Sequence, residues 1–191
     1  MKILCLHGFR TNALIMKTQL TAVVQQCPEH DFVFINAPNY ASGPMYPEVQ
    51  QWFGDQQTFE WYNGSCVEAS LPISKNYLKN YFNTEGPFQA VIGFSQGAAI
   101  CSWLMSTRLV NRVIVIGQVN IIQTFEKYTG SLLCMIGTRD PFIKGLEETA
   151  NFYRNRVTDL TIVRYNQGHQ IPYDPKSLET IKSFLGKVTV H

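Results

Sequence analysis

The chain has 191 residues, a net charge of +2 and only 16% charged residues. A chain of this length suits one domain that buries about 70% of the surface its unfolded form exposes, so neither disulfides nor a structural metal is required. The sparse charge, with no block of like sign, excludes a nucleic-acid surface and a polybasic membrane patch, and no stretch approaches the ~18 apolar residues of a membrane span.

Residues 2–7 (KILCLH) predict a buried strand, and 8–12 a loop that ends on Thr11 or Asn12 as a helix N-cap. The apolar run at 3–6 stops at His7-Gly8, too short for a signal peptide, so the expected address is the cytoplasm. Met16, Leu20, Val23, Val24 and Cys27 fall on one helical stripe closed by Pro28, and 31–36 (DFVFIN) predict a second strand. From Ala37 to Ala69 the periodicity disappears and Pro, Gly and aromatic residues take over. A loop of that length in a compact domain is functional or disordered, and its aromatic content argues against disorder. It is expected to be a lid or pocket wall, with Trp52, Phe53 and Trp61 as candidate pocket residues.

Helical spacing resumes after Ser70, a candidate N-cap, with Ile73, Tyr77, Leu78, Tyr81 and Phe82, and stops at Gly86-Pro87. Residues 89–94 predict a strand and the following segment a helix with Ala98, Cys101, Ser102, Met105 and Leu109 on one face. The runs 112–117 and 131–137 are continuously apolar, as in strands covered on both faces of a parallel sheet. A short helix over 119–128 is expected to join them. Leu146, Ala150, Tyr153 and Val157 predict another helix, 160–165 the last strand, and Leu178, Ile181 and Leu185 a C-terminal helix. About six mostly parallel strands alternating with helices give a three-layer α/β architecture, one domain over 1–191, with ligands beyond the C-terminal strand ends. The five cysteines, odd in number and without CxxC spacing, read as free and mostly buried thiols.

The chemistry centres on Gly93-Phe94-Ser95-Gln96-Gly97, a G-x-S-x-G placed between a predicted strand and a predicted helix. In such an elbow the serine sits on a sharp turn and its hydroxyl is lifted above the sheet. A serine hydroxyl needs a general base within hydrogen-bond reach and an acid to orient that base. Of His7, His30, His169 and His191, only His169 follows a late strand end. Asp140 follows the fifth predicted strand; it also fits an N-cap for the next helix, while Asp174, before Pro175, reads as the N-cap of the last helix. The resulting order, Ser95, Asp140, His169, is that of α/β-hydrolases. Backbone N–H groups of Gln96 and Phe9 are the expected oxyanion donors. His7 reads as a structural hydrogen-bonder.

Leu4 to Asn12, Ile35-Asn36-Ala37-Pro38, Gly86-Pro87-Phe88 and Ile92 to Ala98 together resemble the FSH family of serine hydrolases. That resemblance covers nearly the whole chain. It implies an α/β-hydrolase without a separate cap domain, carboxylesterase activity on uncharged small to medium acyl esters, and a triad at Ser95, Asp140 and His169; the two-step ester hydrolysis expected of such a triad needs no cofactor or metal. Gly168-His169-Gln170-Ile171-Pro172 is similar to the family's Gly-His-x-x-Pro, but Gln167 stands where relatives often carry a second glycine. Two other readings stay open. GFSQG also occurs in acyl-protein thioesterases, so an acyl-protein or acyl-CoA thioesterase is the nearest alternative, which an ester and thioester panel would discriminate, and a small-molecule receptor on a hydrolase fold would bind without turnover.

Overall fold

The computed structural model describes residues 1–187; His191 lies outside them. Strand β1 (Lys2–Leu6) leads through a loop into helices α1 (Ala13–Gln19) and α2 (Thr21–Gln26), then β2 (Asp31–Ile35). The segment before the next long helix holds β3 (Asn39–Tyr40), α3 (Pro47–Phe53) and β4 (Phe59–Glu60). There follow α4 (Val67–Glu85), β5 (Ala90–Phe94), α5 (Gln96–Thr107), β6 (Arg112–Ile116), β7 (Tyr128–Gly137), α6 (Ile143–Arg154), β8 (Val157–Tyr165) and α7 (Pro175–Gly186). Six strands form one sheet in the order β2-β1-β5-β6-β7-β8, every pair parallel. β3 and β4 pair antiparallel as a separate two-stranded ribbon.

Alternation along the strands builds the two cores. In β1, Ile3 and Cys5 face the layer of Met16, Leu20, Val23, Ile181 and Leu185, while Leu4 and Leu6 face that of Leu78, Ile100, Leu104, Leu146 and Tyr153. Helices α1, α2 and α7 therefore cover one face and α4, α5 and α6 the other, the three-layer arrangement expected from continuous apolar strands. Residues Gln96 to Met105 of α5 are all buried. The chain runs outward from β1 to β2 and then returns to the opposite side of β1 as β5. That reversal opens a crevice at the C-terminal ends of β1 and β5, the place where open α/β sheets bind ligands.

Four expectations need correction. The first predicted helix is two, α1 and α2, meeting at Leu20. α4 begins at Val67, not after Ser70, whose hydroxyl instead bonds the Cys66 carbonyl at 2.8 Å and the Asn63 N–H at 2.8 Å. Val157 opens β8 instead of closing α6. No helix spans 119–128. There the Ile122 and Gln123 N–H groups donate to Ser102 Oγ at 3.2 and 3.3 Å, a side-chain acceptor taking the place of a helical one, and Val119, Ile121, Ile122 and Phe125 pack on the core. Cys5, Cys27, Cys101 and Cys134 are buried free thiols; Cys66 is exposed.

Candidate active site

Ser95 joins β5 to α5 with φ 53° and ψ −113°. A non-glycine residue held at positive φ costs on the order of 1–3 kcal/mol and persists only where its surroundings impose it. Here its N–H donates to the Ile116 carbonyl (2.9 Å) and its carbonyl accepts from the Ala99 N–H (3.1 Å). The flanking glycines let the turn close. A Cβ on Gly93 would sit 2.6 Å from the Gly97 carbonyl oxygen, and one on Gly97 would run into the Leu6 carbonyl.

Asp140 stands in the loop after β7, which is pinned to the β8 side by Thr138 N–H to Tyr165 O (2.9 Å) and Arg139 N–H to Gln167 O (3.0 Å). Its carboxylate is buried, with two partners: Oδ1 accepts from the Phe142 N–H at 2.8 Å and Oδ2 faces His169 Nδ1 at 2.7 Å. The N-cap of α6 is Phe142 and no side chain caps it, so Asp140 is not the cap that its place before that helix suggested; its Oδ1 closes a turn just ahead of the helix. His169 follows β8 in a loop closed by the Tyr165 hydroxyl on the Gln170 carbonyl (2.7 Å), and its ring sits beside Phe94 and Phe142. His169 Nε2 lies 2.9 Å from Ser95 Oγ. A carboxylate only accepts, so Nδ1 carries the ring proton and Nε2 presents its lone pair to the serine hydroxyl. Gln167 is buried and its carbonyl takes the Arg139 N–H, so a side chain at this position is compatible with the loop. Asp174 Oδ1 caps α7 through the Ser177 N–H at 3.0 Å.

These residues open onto a cavity of about 560 Å3. Phe9 and Gln96 line it beside Ser95, and Gln96, as the first residue of α5, has no intrahelical acceptor for its N–H. The Gln96 side chain is engaged elsewhere, with Oε1 accepting from the Trp61 N–H and Nε2 donating to the Tyr62 carbonyl, both at 2.7 Å. The 37–62 segment is thereby clasped to the elbow.

The expected pocket aromatics are not the ones that line this cavity. Trp61 is fully buried, donating Nε1–H to the His7 carbonyl at 2.9 Å, so its polar edge and its ring are both used by the core. Trp52 is 84% exposed, and neither it nor Phe53 lines the cavity, which borders the start of α3 and not its end. The 37–62 segment supplies Tyr46, Glu48, Val49 and Tyr62 instead, with Phe94 and Phe142 from the strand-end loops. Composition signalled an aromatic wall, but nothing in an aperiodic stretch tells which ring turns inward. Among the described lining residues there is no lysine or arginine.

His7 and His30 stand apart from this chemistry. His30 precedes β2, at the opposite edge of the parallel sheet from Ser95. His7 is buried; its Nε2 accepts the Ala37 N–H at 2.9 Å and Nδ1 lies 2.8 Å from the Gly8 carbonyl, which fixes the Nδ1–H tautomer. Burial lowers its pKa from 6.5 to about 4. Between those values the unfolded chain binds the proton that the folded chain refuses. Stability contributed by His7 is therefore complete above pH 6.5 and is lost as the pH falls towards 4, by on the order of 3 kcal/mol in all. Urea midpoints measured from pH 7 to 4 are expected to fall more steeply for the native chain than for His7→Gln; parallel curves would refute this.

Known proteins share both this sequence pattern and this fold. The profile of a family described as Serine hydrolase (FSH1) matches residues 1–181. Esterase CG5412 of Drosophila melanogaster is 26% identical, the alignment covering 96% of this chain and 73% of the fly protein. Esterase OVCA2 of Danio rerio is also 26% identical, over 54% of this chain and 55% of that protein. In fold, a carboxylesterase from Mesorhizobium loti superposes with a TM-score of 0.70 at 15% identity, over 96% of this chain and 87% of the other.

Proposed function

Because the chain belongs to the FSH1 family of serine hydrolases, we propose that it is a carboxylesterase that cleaves small to medium, uncharged acyl esters with Ser95 as nucleophile, His169 as base and Asp140 as its orienting acid. The observation that carries this reading is the unbroken hydrogen-bond chain from Asp140 through His169 to Ser95, ending at the cavity. His169 Nε2 takes the Ser95 proton as Oγ attacks the ester carbonyl. Asp140 Oδ2 steadies the imidazolium through Nδ1–H. The Phe9 and Gln96 N–H groups receive the charge that develops on the carbonyl oxygen. His169 then protonates the departing alcohol, leaving an acyl group on Ser95. Water, deprotonated by the same imidazole, attacks that acyl carbon and frees the acid. No step in this sequence calls for a cofactor.

The same cavity favours oxyesters over acyl-CoA thioesters. Its rings and Val49 supply apolar wall, its one acidic residue among the described lining is Glu48, and no lysine or arginine among the described lining residues is there to pair with coenzyme A phosphates. An anionic acyl group therefore loses solvation without gaining a partner. A p-nitrophenyl butyrate should be cleaved at least about tenfold more efficiently than the p-nitrophenyl half-ester of succinate, a difference of about 1.4 kcal/mol. Equal kcat/KM for the two would overturn the assignment of uncharged substrates. The proposed nucleophile is tested separately by mapping where a fluorophosphonate attaches: a label on any serine but Ser95 rejects it.

A further inference from the structure

The loop that carries Phe9 is tied to the pocket wall by a polar cluster that takes no part in the chemistry described so far. Arg10, the next residue, has φ 51°, a left-handed conformation that a side-chain-bearing residue keeps only under constraint. Its guanidinium carbon lies 4.7 Å from the centroid of the Phe9 ring. Beyond that ring, Nη2 donates to Ser42 Oγ at 3.2 Å and Nη1 to the Pro44 carbonyl at 3.4 Å. Ser42 Oγ in turn donates to Glu60 Oε2 at 3.1 Å, and Arg10 Nε stands 4.0 Å from that same oxygen. Glu60 is fully buried, and neither its Oε1 nor Arg10 Nε has a hydrogen-bond partner.

A buried carboxylate with one oxygen unpartnered is a poor stabilising device, since an apolar residue of similar volume would serve stability as well or better. Its geometry suits a different role. The cluster joins three pieces of chain: the loop after β1, the 42–44 turn that leads to Tyr46, and β4. A bridge between Thr11 and Phe59 and the Phe9–Tyr46 ring contact, with centroids 6.2 Å apart, run alongside it. Arg10 itself does not line the cavity.

We propose that Arg10, braced by Glu60 and Ser42, is a positioning residue that holds the Phe9 N–H at the oxyanion and locks that loop to the Tyr46 side of the pocket. The inference rests on the reading of Phe9 as an oxyanion donor. A donor displaced by about 1 Å can lose about a hundredfold in rate while the substrate still binds. Arg10 therefore acts on the transition state and leaves ground-state binding alone.

The test compares Arg10→Met, Arg10→Lys and Glu60→Gln with the native enzyme on p-nitrophenyl butyrate. It also measures inhibition by an alkyl trifluoromethyl ketone, which adds to a nucleophilic serine and places an oxyanion in the hole, and by the matching methyl ketone, which does not. Arg10→Met is expected to lower kcat by about 10- to 100-fold, with KM changed less than about threefold. Trifluoromethyl ketone affinity should fall by the same factor as kcat and methyl ketone affinity should hold. Arg10→Lys, which keeps the charge, should recover part of the loss, and Glu60→Gln should show it in milder form. Glu60→Gln removes a buried charge and decides the matter if Arg10→Met does not fold. Unchanged kcat and trifluoromethyl ketone affinity in the folded variants would overturn the proposal, as would a loss shared equally by the methyl ketone. If the native enzyme binds both ketones alike and takes no fluorophosphonate label, the serine-hydrolase reading itself fails.

Discussion

Replacing Ser95 with alanine is expected to lower turnover of p-nitrophenyl butyrate by roughly a millionfold and to abolish fluorophosphonate labelling, the magnitude seen when a serine nucleophile is removed from a working triad. Ser95 Oγ is the hydroxyl that His169 Nε2 meets, at 2.9 Å, on the wall of the cavity. The strain at φ 53° is imposed by the Ile116 and Ala99 backbone contacts and by the two flanking glycines, not by the hydroxyl. Alanine should therefore keep the turn, the fold and the cavity while losing only the oxygen. A variant that folds with the native circular dichroism spectrum and melting temperature, yet hydrolyses the ester at more than about a thousandth of the native rate, would reject Ser95 as the nucleophile.

Asp140→Asn should cost about 10,000-fold in kcat, as inverting the histidine tautomer does in serine proteases, and this structure supplies a specific reason. Oδ1 of Asp140 accepts the Phe142 N–H. An asparagine amide must leave its oxygen there, because turning it would set two N–H donors against each other. The amide NH2 then points at His169 Nδ1, which must become an acceptor, so the ring proton moves to Nε2 and meets the Ser95 hydroxyl. His169 then has no lone pair facing Ser95 Oγ, and cannot take its proton as the proposed mechanism requires. Asp140→Ala removes both contacts and gives no such tautomer preference, so it should retain more activity than Asp140→Asn at high pH. Equal activity of the two variants across pH 6 to 9 would show that Asp140 acts by charge or packing alone.

The two halves of the site were legible in the sequence to different degrees. Ser95, Asp140 and His169 could be singled out because each lies past the C-terminal end of a strand that the sequence predicts. In a parallel sheet every such strand end reaches the same edge. Asp140's second contact, to Phe142, could not be foreseen, since it depends on how the loop after β7 folds under α6. Gln96 was expected to act through its backbone, and the clasp its side chain makes on residues 61 and 62 had no signal beyond its place in the motif. The Arg10, Ser42 and Glu60 cluster draws on residues far apart in the chain that share no local pattern.

The pocket shows the limit most plainly. Trp61 and Trp52 are the same residue type in one aromatic-rich segment, yet one is in the core with its Nε1–H on the His7 carbonyl and the other is in solvent. The segment from 119 to 127 has apolar residues spaced for a helix, yet it is not helical, and its Ile122 and Gln123 N–H groups meet the Ser102 hydroxyl on α5 instead.

What local chemistry can specify, the chain specified alone: six strands, the turn that needs Gly93 and Gly97, and the order in which Ser95, Asp140 and His169 arrive at one edge of the sheet. Periodicity and steric exclusion act between near neighbours and survive without knowledge of the rest. Which rings wall the cavity, where the 37–62 segment is clasped, and which polar side chains meet at the loop after β1 were settled only by packing between distant segments. There a side chain's direction depends on the partner it meets, and no pattern within its own stretch encodes that partner.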